Sequence, residues 1–345
     1  MTEIIHWHDS EEEGLYRLPD HDAIGVLTST KKVVEQGEHV WINVDQIERL
    51  CQKWTQGFQE QYEPPIVWDV RYHFHDETGR TVNWILLLDA LNFCFWAERE
   101  QPRWTVTYKD EILNGYWAEA AALKRAVEEG MPLWDAEYLC QIDEDTMAHI
   151  FRGEHTIPLF AQRVEHAREV GKVLLERFEG QFANAVMQAQ GSAIQLVALL
   201  VDAFPSFRDI ATYRHNKVCF LKRAQICVAD LHAAFAGQRW GAFRDIDQLT
   251  IFADYKLPQV LRHYNVLEYH PDLAARVDQQ ELIAAGSEEE IEIRAATIWA
   301  CELLHSAMAQ HGYPITASEI DQRLWLMGQS ASDMQPYHRA YTVFY

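Results

Sequence analysis

The sequence predicts a mostly α-helical fold, in which residues 1–345 form one compact domain with a small β-element near the amino terminus. Three observations support this prediction. Apolar residues recur at helical spacing through most of the chain beyond residue 110. Residues that favour helix ends stand at the boundaries of these segments. Strand-forming residues are concentrated in one short stretch, and no Pro- or Ser-rich tract or fixed-period repeat divides the chain.

The amino-terminal third contains one predicted helix and the one strand signal. Asn43 is a favourable N-cap, and Val44 and Ile47 begin a series of apolar residues at helical spacing. Residues 67–75 are rich in strand-forming residues and precede an Asp-Glu-Thr-Gly turn sequence, so we expect a strand there. Residues 81–96 are so apolar that two alternatives stay open, a second strand or a buried helix.

Six further helices are predicted beyond residue 110. Gly130 suits a helix carboxyl terminus, Pro205 stops the helix before it, and Ser287 precedes three glutamates that favour a helix start. Thr316 and Glu319 form a capping-box pattern. The predicted segments are residues 110–130, 158–178, 192–204, 216–235, 287–311 and a last helix that follows the capping box.

The charge balance bears on the class of partner. Fifty-two acidic and thirty basic residues give a formal net charge of −22. A protein that binds polymeric nucleic acid usually presents a basic face to the phosphates, so we expect no polymeric nucleic-acid partner. A small anionic ligand is not excluded, because a few lysines or arginines inside a pocket are sufficient to bind it.

Three features predict a cytoplasmic protein with no membrane partner. The amino terminus lacks the basic and then apolar layout of a signal peptide. The longest apolar run, residues 84–96, is interrupted by Asp89 and Asn92, which makes it too polar to span a bilayer. Six cysteines without CxxC spacing indicate free thiols in a reducing compartment.

Two pairs of histidines raise the question of a metal site. His6 and His8, and likewise His73 and His75, are two residues apart, which would place each pair on one face of a strand. A metal site needs a further ligand in register, and the chain has no HExxH motif. GxSxG, P-loop and GxGxxG motifs are also absent. We therefore expect exposed or hydrogen-bonded histidines and no metal.

Several polar residues lie in strongly apolar surroundings. Asp89, within WILLLDALNFCFW, must be hydrogen-bonded or must have a raised pKa, and capping of a backbone amide is the favoured interpretation. Phe95 suits stacking on a flat ligand, although aromatic residues in such a run more often belong to the core. Lys222, in FLKRAQICVADL, suits a phosphate, with a snorkelling side chain or a structural ion pair as the alternative.

The segment FADYKLPQ contains the most suggestive carboxylate, Asp254. A short loop between apolar segments often presents reactive groups, but Asp254 is equally suited to cap the helix that follows. On spacing alone the cap is favoured. Asp321 lies on the predicted last helix, and if it faces the same pocket as Asp254, the site has two carboxylates with separable roles. The aromatic ending PYHRAYTVFY is expected to dock on the body of the protein.

Seven segments together resemble the queuosine-salvage glycosylases. They run from about residue 80 to the end of the chain in the order found in that family, whereas residues 1–80 match less distinctly. The segments are LLDALNFCFW, GKVLLERFEGQFANAV, FPSFRD, FLKRAQICVADL, FADYKLPQVL, EIEIRAATIWACELL and HRAYTVFY.

The resemblance implies a function that spacing alone does not give. It implies hydrolysis of the N-glycosidic bond of queuosine 5′-phosphate, which releases queuine and ribose 5-phosphate. It also implies a helical fold similar to the helix–hairpin–helix DNA glycosylases, with no metal or organic cofactor. We expect a small-molecule substrate and a monomer. A glycosylase of another modified purine nucleotide and a non-catalytic queuine-binding protein stay as alternatives.

The resemblance also implies roles for four residues. The aspartate of the FADY segment, Asp254, is the expected catalytic carboxylate. Phe95 and Asp321 are expected to hold the base, and Lys222 is the expected partner of the phosphate. The chemistry fits, because a carboxylate beside C1′ stabilises the positive charge that develops when a ribosyl bond breaks.

Four further residues are expected to contact the substrate. Tyr255 and Lys256 follow the catalytic aspartate directly, and Lys256 is a second candidate cation for the phosphate. Gln259 lies one turn further along, and His39 corresponds to an amino-terminal histidine that contacts the base in the family. One position departs from some relatives, since Leu326 stands where they carry an acidic residue.

Overall fold

The computed structural model describes residues 18, 22–60, 68–330 and 333–345. Within these residues fourteen α-helices account for most of the structure, which confirms the predicted helical class. The first seven are α1 (Val26–Gln36), α2 (Val44–Glu60), α3 (Gly79–Leu91), α4 (Gly115–Glu128), α5 (Ala136–Cys140), α6 (Glu144–Ile150) and α7 (Phe160–Phe178). The others are α8 (Phe182–Gln188), α9 (Ala193–Ala203), α10 (Lys222–Ala234), α11 (Lys256–His263), α12 (Pro271–Asp278), α13 (Glu288–Gln310) and α14 (Ala317–Ser330).

Six short strands in the described ranges form three antiparallel pairs. The pairs are β1 (Val40–Ile42) with β6 (Leu267–Tyr269), β2 (Thr105–Tyr108) with β3 (Glu111–Asn114), and β4 (Ile210–Tyr213) with β5 (Asn216–Cys219). In the first pair Trp41 lies opposite Glu268, so it joins distant parts of the chain. The other two are hairpins. A strand therefore lies near the amino terminus, but at a different position from the one predicted.

The strand predicted over residues 67–75 is wrong for its described part, residues 68–75, which form turns and irregular backbone. The turn sequence that follows caps α3 instead. Thr78 Oγ1 accepts a hydrogen bond from the amide of Arg80 at 3.1 Å, and Asp76 Oδ1 accepts one from the Thr78 hydroxyl at 2.7 Å. Asp and Thr are favoured both in turns and at helix N-caps, so the local sequence alone did not separate the two.

Two helices are buried around their whole circumference and form the core of the fold. α3 is buried from Thr81 to Leu91, so the buried-helix alternative for residues 81–96 is correct as far as Leu91. α3 packs against α7, α8 and α10. α13 is buried from Glu290 to Cys301 and packs against α1, α2 and α14. A helix that is buried on all sides belongs to the core of a protein, and both helices do so here.

Two hairpins displace the starts of two predicted helices. The helices expected from residues 110 and 216 begin later, as α4 and α10, because β3 and β5 occupy those positions. Both hairpin turns have two residues with positive φ, 47° and 67° at Lys109 and Asp110, and 43° and 69° at Arg214 and His215. This turn is recognised in sequences mainly through Asn-Gly or Asp-Gly, and neither Lys-Asp nor Arg-His resembles that signal.

Other helix boundaries are confirmed by their caps. Asn43, Ser192 and Ser287 each accept a side-chain hydrogen bond from the amide three residues later, at 3.3, 3.1 and 3.3 Å. Thr316 and Glu319 form the predicted reciprocal capping box, with hydrogen bonds of 2.7 and 3.2 Å. The predicted helix over residues 158–178 is α7. These signals are local, so they could be recognised without knowledge of the packing.

The carboxyl-terminal segment docks on the body, as its aromatic content predicts. The carbonyl oxygen of Tyr345 accepts a hydrogen bond from the amide of Cys94 at 2.9 Å. A separate apolar cluster includes Phe93, Cys94, Trp96, Tyr255, Tyr337 and Tyr345. The cluster therefore joins the chain end to the segment after α3 and to the loop before α11.

All six cysteines are free thiols, as predicted. None of the helices among the described residues combines the length and the apolar character that a membrane crossing requires.

Candidate active site

A cleft opens beside the amino-terminal end of α10, the loop before α11 and one face of α14. It encloses about 1200 Å³, counting the part that is open to solvent. Its walls come from segments that are distant in sequence: residues 92–95, 114–117, 222–230, 252–256 and 318–329. The carboxyl-terminal segment adds Tyr337 and Tyr345.

Asp254 lines this cleft at the start of α11. Its Oδ1 accepts hydrogen bonds from the amides of Lys256 at 2.7 Å and Leu257 at 3.0 Å. The carboxylate is therefore the helix cap that spacing favoured. No described residue donates to the second oxygen, Oδ2. A single carboxylate can thus cap the helix through one oxygen and offer the other to a ligand.

Burial and Lys222 together determine the electrostatics of Asp254. Burial raises the pKa of Asp254, whereas the ammonium of Lys222 and the two capping amides lower it. Lys222 is only 4% exposed, and its Nζ lies 3.4 Å from the carbonyl oxygen of Asn92. Burial lowers the pKa of Lys222, and the charges of Asp254 and Asp89 oppose that change. Each of the two groups therefore favours the charged form of the other.

Asp321, on α14, lines the same cleft and holds the backbone that leads to Asp254. Its Oδ2 accepts a hydrogen bond from the amide of Phe252 at 2.7 Å. Burial raises the pKa of Asp321 well above its ordinary value, and repulsion from Asp254 adds to the effect. Asp254 and Asp321 therefore have different environments in the cleft, since Asp254 is stabilised by two helix-cap amides and Asp321 has a strongly raised pKa.

A buried ion pair joins the two segments that carry Asp254 and Lys222. Arg294 donates to both carboxylate oxygens of Asp209, at 2.9 and 2.6 Å, and its Nε donates to the carbonyl of Ala253 at 3.2 Å. Asp209 Oδ2 also accepts a hydrogen bond from the amide of Lys222 at 3.1 Å. Both side chains of the pair are 3% exposed. The pair therefore fixes the backbone beside Asp254 relative to the first residue of α10.

Aromatic side chains form one wall of the cleft. The ring of Trp325 lies 5.9 Å from Tyr116 and 5.5 Å from Trp117, measured between centroids. Phe95 packs against the guanidinium of Arg163, whose central carbon lies 5.0 Å from the ring centroid. Flat aromatic faces beside buried polar groups suit a heterocyclic base.

His73 also lines the cleft, but not as part of a strand. Its Nδ1 lies 2.8 Å from the carbonyl oxygen of Asp69, so Nδ1 carries the proton and donates it. Nε2 then accepts a hydrogen bond from the hydroxyl of Tyr116 at 2.8 Å. Burial lowers the pKa of His73 to about 4. The expected pairing of His73 with His75 on one strand face is wrong, and the hydrogen-bonded alternative is correct for His73.

Two more acidic residues lie close to Lys222. Asp230, on α10, lines the cleft, and burial together with the charge of Asp89 raises its pKa well above the ordinary value. Asp89 is fully buried on α3. No described backbone amide donates to its carboxylate, so the capping interpretation of Asp89 is wrong. Burial instead raises its pKa.

The structure brings together six of the eight predicted site residues. These six are Phe95, Lys222, Asp254, Tyr255, Lys256 and Asp321. His39 and Gln259 do not line the cleft. The amide of His39 donates to Glu292 at 2.6 Å just before β1. The side chain of Gln259 donates to the carbonyl of Gln335 at 2.7 Å, which connects α11 to the carboxyl-terminal segment.

One group of potential metal ligands occurs among the described residues, namely His39, Glu288 and Glu292. Glu292 already has a structural role. Its Oε2 accepts hydrogen bonds from the backbone amides of residues 38–40, and its Oε1 accepts one from the hydroxyl of Tyr213 at 2.8 Å. These hydrogen bonds connect α13 to the backbone around the start of β1, and this structural role explains the position of Glu292. His6 and His8, the other predicted pair, lie outside the described residues.

Sequence reasoning missed several side chains of the cleft. They are His73, Arg103, Tyr116, Trp117, Asp230, Trp325 and Tyr337. Two of them, Tyr116 and Trp117, are adjacent at the start of α4, and His73 was singled out only as half of a histidine pair. The others come from separate elements, and only the folded arrangement groups them.

Comparison with known proteins identifies the group to which this arrangement belongs. The sequence model of a family described as queuosine salvage protein matches residues 72–345, a range that contains every residue of the cleft. A relative from Sphaerobacter thermophilus, named queuosine 5′-phosphate N-glycosylase/hydrolase, is 49% identical over 325 residues, which are 94% of this chain and 98% of the relative.

More distant relatives carry the same name. A Mus musculus protein is 36% identical over 276 residues, covering 76% of this chain and 82% of the relative. A Dictyostelium discoideum protein is 34% identical over 330 residues, covering 93% of this chain and 98% of the relative.

Proposed function

The chain belongs to the queuosine salvage protein family, and from this premise we propose that it hydrolyses the N-glycosidic bond of queuosine 5′-phosphate. The products are queuine, a 7-deazaguanine base, and ribose 5-phosphate. Relatives named for this activity align with the chain over nearly their whole length. One observation in the structure carries the proposal: Asp254 retains a carboxylate oxygen for a cleft that also contains an ammonium group and an aromatic wall.

Asp254 acts at the anomeric carbon. Hydrolysis breaks the bond between C1′ and the base nitrogen, adds the oxygen of water to C1′ and transfers one proton of the water to the departing base. Positive charge develops on the ribose as the bond breaks, and a fixed carboxylate stabilises that charge or orients the water. The cap hydrogen bonds keep Oδ1 in place, so Oδ2 is pre-organised for either task.

Lys222 keeps Asp254 ionised. A carboxylate in a buried site tends to take up a proton, and the neighbouring ammonium opposes this by lowering the pKa of Asp254. The assignment of Lys222 to the phosphate stays a prediction. Its burial and its neighbours Asp254, Asp89 and Asp321 favour a role on the floor of the cleft.

The base is held by the aromatic wall and the buried acids. Phe95, Trp117 and Trp325 offer faces for stacking, and Asp321 offers the oxygens of its carboxyl group to the hydrogen-bonding edge of a guanine-like base. The base must gain a proton as it leaves. Asp230 suits this step, because burial raises its pKa well above the ordinary value and a carboxyl in that condition retains a proton to donate.

Coarser features of the protein are part of the same proposal. We propose a cytoplasmic monomer that acts on a small molecule and not on polymeric nucleic acid, with residues 1–345 forming one domain. Six free thiols support the cytoplasmic location, and the net charge of −22 supports the absence of a polymeric nucleic-acid partner. An apolar core cluster that extends from Val26 to Leu324 supports the single domain. Similarity to the helix–hairpin–helix DNA glycosylases is the proposed fold relationship, supported by the mostly helical structure.

The proposal is tested by release of queuine from queuosine 5′-phosphate. The wild type is expected to convert the substrate to queuine and ribose 5-phosphate, and Asp254→Ala is expected to lose this activity. Mass spectrometry of the bound and free fractions distinguishes hydrolysis from simple binding. Recovery of intact queuosine 5′-phosphate from the wild type would refute the proposed hydrolysis, and a fully active Asp254→Ala enzyme would refute the role of Asp254.

A further inference from the structure

We propose that Arg103 and Lys256 form the subsite for the 5′-phosphate at the mouth of the cleft, with the side chain of Tyr337 between them. This inference rests on the proposed function, because it names the part of the same cleft that recognises the phosphate of the substrate. It assigns a substrate contact to Arg103, which the sequence did not single out.

Both cations contact the same tyrosine. Arg103 donates a hydrogen bond from Nη2 to the hydroxyl of Tyr337 at 3.1 Å. The Nζ of Lys256 lies 5.1 Å from the centroid of the Tyr337 ring and donates to the carbonyl oxygen of Gly328 at 3.1 Å. All three side chains line the cleft. Tyr337 therefore holds a guanidinium and an ammonium on one side of the opening.

The two positive charges have no acidic partner in direct contact within the described part of the chain. Among the described residues, no carboxylate oxygen lies within 4.0 Å of a side-chain nitrogen of Arg103 or Lys256. Several other arginines of this acidic chain form ion pairs, for example Arg177 with Asp202 at 2.8 Å. Burial lowers the pKa of Lys256, the charge of Arg103 lowers it further, and the charge of Asp254 opposes the change. Two neighbouring cations with no carboxylate in direct contact repel each other, and a dianionic phosphate relieves that repulsion.

The position of Lys256 relative to Asp254 fits a nucleoside 5′-phosphate. The amide of Lys256 donates to the carboxylate of Asp254, so the catalytic carboxylate and the lysine ammonium are carried by the same short turn. In the substrate the ribose ring and C5′ separate C1′ from the phosphate. Lys256 and the exposed Arg103 lie towards solvent, whereas Lys222 is 4% exposed at the floor. C1′ can therefore lie at Asp254 while the phosphate reaches the mouth.

Lys222 is the competing candidate for the phosphate. Three acidic residues, Asp254, Asp89 and Asp321, act electrostatically on its ammonium. A dianion placed beside Lys222 would lie next to these acidic groups, and the phosphate would then occupy the position beside Asp254 that C1′ needs. Arg103 also offers a planar fork of donors that matches phosphate oxygens, which an ammonium lacks. The charges in the cleft therefore favour the mouth over the floor.

The test compares two substrates across matched variants. The ratio of kcat/KM for queuosine 5′-phosphate to kcat/KM for unphosphorylated queuosine is measured for the wild type, Arg103→Ala, Arg103→Lys and Lys256→Met. Arg103→Ala and Lys256→Met are each expected to lower this ratio by about 10- to 100-fold. Arg103→Lys is expected to retain part of the preference, because it keeps the charge without the fork.

A matched control lies four residues before Arg103. Arg99 is 64% exposed, is paired with Glu100 at 3.6 Å and does not line the cleft, so Arg99→Ala is expected to keep the wild-type ratio. A ratio that stays at the wild-type value in Arg103→Ala and Lys256→Met would place the phosphate elsewhere. Equal losses on both substrates would make the two residues structural and would also overturn the subsite.

Calorimetric titration with ribose 5-phosphate separates this inference from the proposed function. The wild type is expected to bind the sugar phosphate, and Arg103→Ala is expected to bind it about 10- to 100-fold more weakly. If the wild type binds ribose 5-phosphate through Arg103 but releases no queuine, the proposed function fails and the subsite stands. If the wild type releases queuine equally well from both substrates, the subsite fails and the hydrolysis stands.

Discussion

The floor and the mouth of the cleft are built in different ways. The floor consists of Lys222, Asp254 and Asp321, and the mouth consists of Arg103, Lys256 and Tyr337. On the floor both carboxylates accept hydrogen bonds from backbone amides, and the Asp209–Arg294 pair fixes the segments that carry Asp254 and Lys222. At the mouth the link between Arg103 and Tyr337 is a hydrogen bond between side chains.

The difference shows how one cleft combines rigidity with selectivity. Charged groups in a buried site are unfavourable unless backbone dipoles and opposite charges surround them, and the floor supplies both. The mouth is more exposed, so its charges are partly screened and contribute mainly to the choice of ligand. We therefore expect substitutions on the floor to affect catalysis and stability, and substitutions nearer the mouth to affect binding.

The largest effect is expected for Asp254→Asn. Queuine release should fall by about 10³-fold or more, because the amide has no charge to stabilise the developing cation. The fold should persist, because the amide oxygen of asparagine can still accept the cap hydrogen bonds from Lys256 and Leu257. Activity assays and thermal unfolding are measured together. A variant that unfolds at a much lower temperature would show that Asp254 serves the floor mainly as a cap.

Breaking the ion pair behind the floor is expected to destabilise the protein strongly. Arg294→Met leaves Asp209 as an uncompensated buried charge, so the free energy of unfolding should fall by about 3–5 kcal/mol. Urea denaturation measures the change. The matched control is Arg177→Met, which removes a surface pair and should cost about 0–1 kcal/mol. Equal losses of unfolding free energy in the two variants would show that the buried ion pair contributes no more to stability than a surface pair.

A smaller effect is expected from the aromatic wall. Phe95→Leu keeps an apolar side chain but removes the flat face, so KM for queuosine 5′-phosphate should rise about 10-fold with little change in kcat. Steady-state kinetics of queuine release provides both constants. A fall in kcat at unchanged KM would instead assign Phe95 to the catalytic step on the floor.

The smallest effect is a shift in pH dependence. Burial raises the pKa of Asp254 above the ordinary 3.8, so the acid limb of kcat/KM should lie above that pH in the wild type. Lys222 lowers the pKa of Asp254, so Lys222→Gln should move the acid limb to still higher pH. The residual activity of this variant is measured as a function of pH. A limb that stays in place or moves to lower pH would show that Lys222 does not control the ionisation of Asp254.

The sequence predicted all three residues of the floor, but of the mouth it predicted only Lys256. Asp254 and Asp321 were recognised as carboxylates beside apolar segments, and Lys222 as a cation on an apolar helix. Charges in apolar surroundings are unfavourable unless they are paired or hydrogen-bonded, so these positions indicated a site. Arg103 lies in a charged, unremarkable stretch of sequence, and nothing local marks it. Tyr116 and Trp117 were hidden because the preceding hairpin was mistaken for the beginning of their helix.

Local chemistry also explains which parts of the fold were predictable. Ser192, Ser287 and Thr316 bond to amides three residues away, so the sequence by itself determined where α9, α13 and α14 begin. It also determined the helical class, through apolar spacing, and the family, through the order of its segments.

Only the tertiary structure decided which charges meet. Asp209 and Arg294 are 85 residues apart, and Arg103 and Tyr337 are 234 residues apart. The physical reason is that a cap forms within one turn of backbone, whereas these contacts exist only after helices from both halves of the chain have packed around the buried helices α3 and α13.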